Sequence, residues 1–444
     1  MGHQTSVTTG STWHNWAGNQ VARPDRVLAP RDIGELADLV RAADGEGSRV
    51  KAIGSGHSFT AIGVTDGIQV RLGRLADLLS ADRSTGLVTV EAGMPLHRLN
   101  GELAERGLAL RNLGDIDRQT VAGAISTGTH GTGQRLGGLA AQVRALQIVL
   151  ADGSVVTCSA TEHPELFSAA RVGLGALGIL ATVTLQAEPA FALRAQERPM
   201  SLPSVLGDLD ALVADNDHFE FFWFPHTDTT LTKCNNRLPA RTPLQPLGRR
   251  QSFVQDELFS NGVFGLACGL GRLRPALIPR INAATAGSLG HRTYADASYK
   301  VFVSTRRVRF VEMEYGVPAE AVRAAIEGIR RVIDMHDLRV SFPVEVRFTA
   351  ADDIPLSTAS GRASAYLAVH MYKGQPYDTY FRAVEAVMRD LDGRPHWGKV
   401  HYQDADSLAA RYPRFHEFLA VRDTVDPRGR FANAYLDRVL GAVT

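Results

Sequence analysis

The sequence is short of the features that would place it in several large functional classes. Among its 444 residues there are three cysteines, Cys158, Cys234 and Cys268. An odd and widely spaced set suggests neither a disulfide framework nor a zinc site, and it suits a reducing compartment. An excess charge of one sign is missing too: 48 basic residues face 47 acidic ones, a formal net charge of +1. A polyanion-binding surface needs a basic excess or stripe, so nucleic acid is not an expected partner. Long apolar runs are absent, and no membrane span is expected. The stretch Met1–Trp16 has neither a basic n-region nor an apolar h-region, so it does not read as a secretory signal. A cytoplasmic location is the expectation. Internal repeats and low-complexity tracts are also lacking.

Glycine, by contrast, is plentiful at 42 residues. Its densest stretches lie before residue 190, which sets the expected boundary between a first unit, 1–190, and a second, 191–444. The first unit alternates helix and strand signals. Asp32 can cap a helix carrying Ile33, Leu36, Leu39 and Val40 on one face, with Gly45 and Gly47 at its end. Val50–Ile53 reads as a strand running into the turn Gly54-Ser55-Gly56-His57. Leu87–Glu91 is a strand, and Leu96, Leu99 and Leu103 mark a helix that stops near Gly107. Leu146–Leu150 and Val155–Cys158 flank Asp152-Gly153, a hairpin signal. Ile179–Leu185 is a further strand. In the second unit, 236–282 lacks clear periodicity and reads as a loop or irregular helical insert. Phe310–Tyr315, Pro343–Phe348 and Ala365–Met371 read as strands. Pro318 is expected to open a helix through Val322, Ile326, Ile329 and Val332, and Tyr380–Leu391 to form another. The expected class is α+β, the second unit being an antiparallel sheet with helices on one side.

Two glycine-rich segments point to a ligand. Between Asn112 and Gly138, glycines alternate with the hydroxyls of Ser126, Thr127, Thr129 and Thr132. Glycine lets the backbone approach a ligand closely, and exposed amides with neutral hydroxyls suit a pyrophosphate. Gly173-Leu174-Gly175-Ala176-Leu177-Gly178 matches G-x-G-x-x-G, but a helix precedes it and a strand follows. The dinucleotide fingerprint requires the reverse order, so a Rossmann NAD site is rejected. A lone histidine is more often structural than chemical. His57, however, sits on a tight turn after a buried strand, where a neutral imidazole is nucleophilic near pH 7. Glu345 and Arg347, two apart in a strand, share one face. Taken alone, such a pair is more often an ion pair on an amphipathic strand. In a cleft it could activate a hydroxyl and stabilise developing negative charge.

Four separated motifs, G-S-G-H-S-F, A-G-A-I-S-T-G-T-H-G-T-G, V-E-V-R-F and H-W-G-K, together resemble the vanillyl-alcohol-oxidase family of flavoproteins. They are most similar to its sugar-lactone branch, over about Trp16 to Leu436. The resemblance implies a two-subdomain, PCMH-type FAD-binding domain followed by a substrate-covering domain whose C-terminal segment returns to the flavin. It implies that His57 links covalently to FAD, with Gly54, Ser55, Gly56 and Ser58 forming the pyrophosphate loop. Ser126, Thr129, His130 and Gly131 match the second FAD loop, and Gly178 and Ile179 the turn at the adenine–ribose end. Gly114 matches a position beside the flavin where glycine accompanies oxygen access. Glu345 and Arg347 match the substrate-site pair, and Lys399 a cation near the flavin ring; His370 ends a strand where it could touch substrate. Asn433 and Tyr435 resemble further flavin-site residues. Asp115 and Tyr372 depart from the related alditol oxidases, which favours a lactone. The implied activity is FAD-dependent oxidation of an aldono-1,4-lactone, of the L-gulono- or D-arabinono- type, with O2 as acceptor and H2O2 as product. The alternatives are an alditol oxidase acting on polyols, a lactone dehydrogenase using another acceptor, and a non-catalytic flavin binder. No metal is expected.

Overall fold

Local chemistry starts the first helix where the sequence indicates. The Asp32 side chain accepts a hydrogen bond from the Glu35 backbone N–H at 2.8 Å, satisfying one of the orphan donors of a helix start. Helix α1 (Ile33–Glu46) follows, burying Leu36, Ala37, Val40 and Ala43. Its end is set by Gly47, at φ +74°; Gly45, expected to share that task, lies inside the last turn. This computed structural model describes residues 10–240, 242–248, 262, 264–304 and 307–443.

α1 connects two strands of a small parallel sheet. β1 (Arg26–Leu28) and β2 (Val50–Ile53) both pair with β3 (Ile68–Arg71). A second sheet is antiparallel and built from β4 (Leu78–Ala81), β5 (Leu87–Glu91), β6 (Val143–Val149), β7 (Val155–Ser159) and β8 (Ile179–Gln186), in the order β7-β6-β8-β5-β4. The Asp152-Gly153 turn closes β6 onto β7 as expected, with Gly153 at φ +78° and the Ser154 N–H donating to Asp152 Oδ1 at 2.8 Å. Helices α2 (Leu96–Glu105), α3 (Val121–Ser126) and α4 (Pro164–Ala170) complete this region. α4 precedes the Gly173–Gly178 turn and β8 follows it, the order that argued against a Rossmann site.

The second region is dominated by one sheet. Among the described residues it has eight strands: β9 (Ala192–Ser201), β10 (His218–Trp223), β11 (Thr229–Arg237), β12 (Arg292–Ala297), β13 (Phe310–Pro318), β14 (Val344–Thr349), β15 (Ser364–Tyr372) and β16 (Arg394–Pro395). Their order is β12-β9-β11-β10-β14-β15-β13-β16, antiparallel throughout. Helices α5 (Phe264–Leu273), α6 (Ile278–Gly287), α7 (Val322–Met335), α8 (Asp378–Asp390) and α9 (Ala434–Leu440) accompany it. α7 and α8 cover one sheet face, where Ile326, Ile329, Phe381 and Val384 pack with Val344, Val346 and Val369.

Two readings need adjustment. Pro318 ends β13 instead of opening a helix; a 3-10 turn at Ala319–Ala321 intervenes and α7 starts at Val322. Of the two alternatives for 236–282, a loop or an irregular helical insert, the helical one holds, and the helices are regular: α5, and α6, which runs on to Gly287. Its glycines and prolines hid the periodicity, since Pro279 sits in the first turn of α6, where proline is tolerated. Residues 241, 249–261 and 263 of that segment lie outside the described residues. The core of the first region also takes in Trp397, Tyr412, Phe415, Phe431, Leu436 and Leu440. The chain therefore returns to its first part after completing the large sheet.

Candidate active site

Strand β2 delivers the turn Gly54–His57 to the wall of a groove that is open to solvent. Gly54, Ser55, Gly56, His57 and Ser58 line it on one side. Ser126, from the end of α3, and Gly178 and Ile179, from the turn before β8, line it elsewhere. Glycine is required where the wall is tightest. Gly56 has φ +71°, and a Cβ at Gly54 would fall 2.4 Å from Thr120 Oγ1. At Gly178, with φ +150°, a Cβ would sit 2.6 Å from the Val149 carbonyl oxygen.

None of the described lining residues is acidic, and Lys51 is the charged one among them. Its ammonium donates to the carbonyls of Gly175 (3.2 Å) and Phe431 (3.0 Å). Burial brings its pKa down to about 7, against the opposing pull of Asp426 and Asp437. A glycine-and-hydroxyl cradle without carboxylates is what an anionic dinucleotide needs. The groove therefore fits FAD. The His57 ring stacks on Trp16 with centroids 5.7 Å apart. Burial, helped by Lys399 and Arg118, lowers its pKa to about 4, so the imidazole is neutral at pH 7.

The remaining loop residues lie behind the groove. Gln119, which lines it, bonds to Thr129 Oγ1 at 3.1 Å. Gly114 is buried, and a methyl there would stand 3.3 Å from the His130 carbonyl and from Thr129 Cγ2. At Gly131 a Cβ would collide with the Leu113 carbonyl oxygen at 2.2 Å. This loop ties the two regions together: Thr132 Oγ1 accepts from the Phe348 N–H at 3.2 Å, and the Gly133 N–H donates to the Phe348 carbonyl at 2.7 Å.

The sheet face opposite α7 and α8 meets that loop and is strongly charged. Glu345 and Arg347 share it as expected, and both are buried. Arg347 pairs with Glu345, donates through Nε to Glu220 Oε2 at 2.9 Å, and stands 3.5 Å from Asp115 Oδ1. Burial disfavours the guanidinium's charge, but Glu345, Asp115 and Glu220 outweigh it and hold its pKa well above the ordinary value. On β13, Glu312 pairs with Lys399 and lies 3.5 Å from His370 Nε2. Burial would raise the Glu312 carboxyl, yet Lys399 and His370 hold it far below the usual carboxylate range. Lys399, in turn, is raised by Glu312 and Glu314 against the cost of its burial. Its ammonium lies 5.3 Å from the Phe59 ring centroid, close to the groove turn that bears His57.

His130, Glu314 and His396 form a second buried cluster, with ligand-type atoms within 4.8 Å of one another. Their hydrogen bonds account for much of it. His130 Nδ1 bonds to the Gly131 carbonyl at 2.9 Å, which leaves Nε2 facing Glu314 at 3.4 Å. His396 Nδ1 accepts from the Gly398 N–H at 3.1 Å. Burial would raise Glu314, but His130 beside it brings its pKa down to about 2. Tyr366 stacks on the His130 ring, with centroids 3.7 Å apart.

The sequence reading singled out Glu345, Arg347, Lys399 and His370, and the fold gathers them on one sheet face and its margin. It passed over Glu220, Lys233, Glu312 and Glu314. The last two carried the same signal as the Glu-x-Arg pair: Glu312-Met313-Glu314 is a period-two charge pattern inside an apolar strand. Asn433 and Tyr435 serve the frame. Asn433 Nδ2 donates to the carbonyls of Ala61, Ile62 and Val64, and the Tyr435 hydroxyl donates to the Trp397 carbonyl at 2.9 Å.

Comparison with known proteins matches the chain to two family models, D-arabinono-1,4-lactone oxidase over residues 183–439 and FAD binding domain over residues 24–159. It is 45% identical over 429 residues to an L-gulono-1,4-lactone dehydrogenase of Mycobacterium tuberculosis (strain H37Rv), covering 97% of this chain and 99% of that protein. It is 35% identical to the L-gulonolactone oxidase of Mus musculus, covering 97% and 98%. Against the D-arabinono-1,4-lactone oxidase of Kluyveromyces lactis it is 27% identical, covering 89% and 85%. Among solved structures, cholesterol oxidase from B. sterolicum superposes with a TM-score of 0.82 at 17% identity, covering 98% of this chain and 97% of that one. At that identity the likeness speaks for the fold.

Proposed function

Because this chain belongs to the D-arabinono-1,4-lactone oxidase family, we propose that its charged sheet face binds an aldono-1,4-lactone against FAD held in the groove, with oxygen as electron acceptor. The protein is an FAD-dependent oxidoreductase that oxidises an aldonolactone. The observation that carries the arrangement is the single segment 112–133, α3 and its flanking loops, whose one side backs the carboxylate-free groove and whose other side touches Arg347, Glu314 and Phe348. Bound FAD supplies the hydride acceptor.

The chain's own residues do the rest. Glu345 takes the proton of the substrate hydroxyl as its C–H bond breaks. Arg347 holds the substrate oxygen and stabilises the negative charge that develops on it. Lys399, fixed by Glu312, places a cation next to the groove turn, where it favours negative charge on the reduced cofactor. His370 stands against Glu312 and borders the same space. His57, neutral and on the groove turn, would be the residue that holds the cofactor covalently through its imidazole. In this reading residues 1–190 hold the cofactor and the sheet of the second unit covers the substrate.

The acceptor has a competing reading. The relative at 45% identity is named a dehydrogenase and the one at 35% an oxidase. The resemblance associates glycine at the position of Gly114 with oxygen access, which favours the oxidase reading. The test is steady-state turnover of L-gulono- and D-arabinono-1,4-lactone with xylitol as control, following oxygen uptake and peroxide beside reduction of an artificial dye. Lactone turnover with peroxide is the expected result. Lactone turnover seen with dye alone assigns another acceptor, and xylitol rates equal to lactone rates would overturn the substrate.

A further inference from the structure

Arg347 does not end the charged row on the sheet. In the strand register Glu197 opposes Arg292 on one side and Lys233 on the other, and Lys233 opposes Glu220. Phe222 opposes Glu345, so Glu220, two residues back on antiparallel β10, lies across from Arg347. Five adjacent strands thus carry, in order, Arg292, Glu197, Lys233, Glu220 and Arg347, with alternating sign. Contacts join them. Arg292 grips Glu197 with two bonds of 2.7 and 2.8 Å. Lys233 Nζ stands 3.7 Å from Glu220 Oε1 and donates to the Val301 carbonyl at 3.1 Å. Arg347 Nε closes the row on the other oxygen, Glu220 Oε2. The side chains of Lys233 and Glu220 are 13% and 9% exposed, so water screens little of this.

Three carboxylates, Asp115, Glu220 and Glu345, converge on one guanidinium. Removing one partner from a buried ion network leaves an uncompensated charge that the others must absorb. We propose that Lys233 is a positioning residue for lactone oxidation: by holding Glu220 from behind, it limits that carboxylate's claim on Arg347 and leaves the guanidinium to Glu345 and the substrate. The inference rests on the reading above that Glu345 and Arg347 act on the lactone. Without Lys233, Glu220 turns wholly to Arg347, and the negative field at Glu345 rises. The charged and titratable groups facing this region are Asp115 from the loop, His218 from β10, Glu314 from β13, Glu345 from β14, Glu197 from β9, Arg292 and Tyr294 from β12, and Lys399 after β16.

The test compares Lys233→Met, Lys233→Arg and Glu220→Gln with wild type by pH profiles of kcat/KM for the lactone, alongside flavin content and melting temperature. Removing a buried positive charge raises the proton affinity of the carboxylates, so the acid limb of Lys233→Met moves to higher pH, by roughly 0.5–1 unit. Removing a negative charge in Glu220→Gln moves it the other way, and Lys233→Arg restores the wild-type limb. At neutral pH, kcat/KM of Lys233→Met falls about 10-fold or more while flavin content is kept. Shifts of opposite sign support the proposal. A Lys233→Met profile that overlays wild type, whatever its melting temperature, overturns it; should that variant not fold, an unmoved Glu220→Gln limb does the same. Wild type that oxidises no aldonolactone overturns the functional reading itself, and this inference with it.

Discussion

At the scale of single residues, the site divides into groups that must be charged and one that must not be. Glu345→Gln removes the proton acceptor while keeping its size. Its kcat is expected to fall about 10²–10⁴-fold, the usual worth of a positioned base, with flavin content unchanged. Rapid mixing with substrate under anaerobic conditions would reveal this as slow bleaching of the flavin, and bleaching at the wild-type rate would remove Glu345 from the proton step. His57 makes the opposite demand. Its ring is kept neutral by burial and by the nearby cations, as the proposed covalent link to the cofactor requires. Acid precipitation of wild type is expected to carry the yellow colour into the pellet, and His57→Ala to leave it in the supernatant. Colour in the wild-type supernatant would mean a non-covalent cofactor.

At the scale of elements, the turns hold the site more tightly than the strands reveal. Gly178→Ala would press a methyl against the Val149 carbonyl and Ile148 at 2.6 Å in a backbone region that L-residues avoid. A cost of about 1–3 kcal/mol and partial loss of bound FAD are expected, read by absorbance ratio and melting temperature. Full flavin loading would place the turn away from the cofactor. Such turns were legible because glycine and proline mark them directly, as at Asp152-Gly153 and Gly54–His57. Regular strands and capped helices such as α1, β2, β14 and β15 were legible from periodicity. α5 and α6 were not, since glycine and proline inside a helix imitate a loop. Half of the charged face was equally hidden. Lys233 and Glu220 lie far from Arg347 in sequence, and only the pairing of β11 with β10 and of β10 with β14 brings them together. No local pattern reports which strands are neighbours.

At the scale of the whole molecule, burial sets the response to acid. His57, His396 and His401 are held by burial at about 4, 3 and 3, against an ordinary 6.5. Between those values the unfolded chain takes up protons that the folded one refuses, so stability falls as pH drops through that window. Glu312 and Glu314 are depressed below the ordinary 4.5, and their contribution is lost as pH falls further. Asp352 and Asp426, raised by burial, offset part of this. The melting temperature is expected to decline from pH 6.5 to 4 and more steeply below 4.5; a flat curve across that range would contradict the burial of these histidines. One join has a consequence in time. The N–H of Val50 donates to the Arg430 carbonyl at 2.7 Å, and Lys51 holds the Phe431 carbonyl across 380 positions. At translation rates of about 5–20 residues per second, roughly 20–80 s separate the two partners. Throughout that interval the nascent strand beside the groove lacks the partners of the Val50 amide and the Lys51 ammonium, so the groove wall is completed only when the polypeptide is finished.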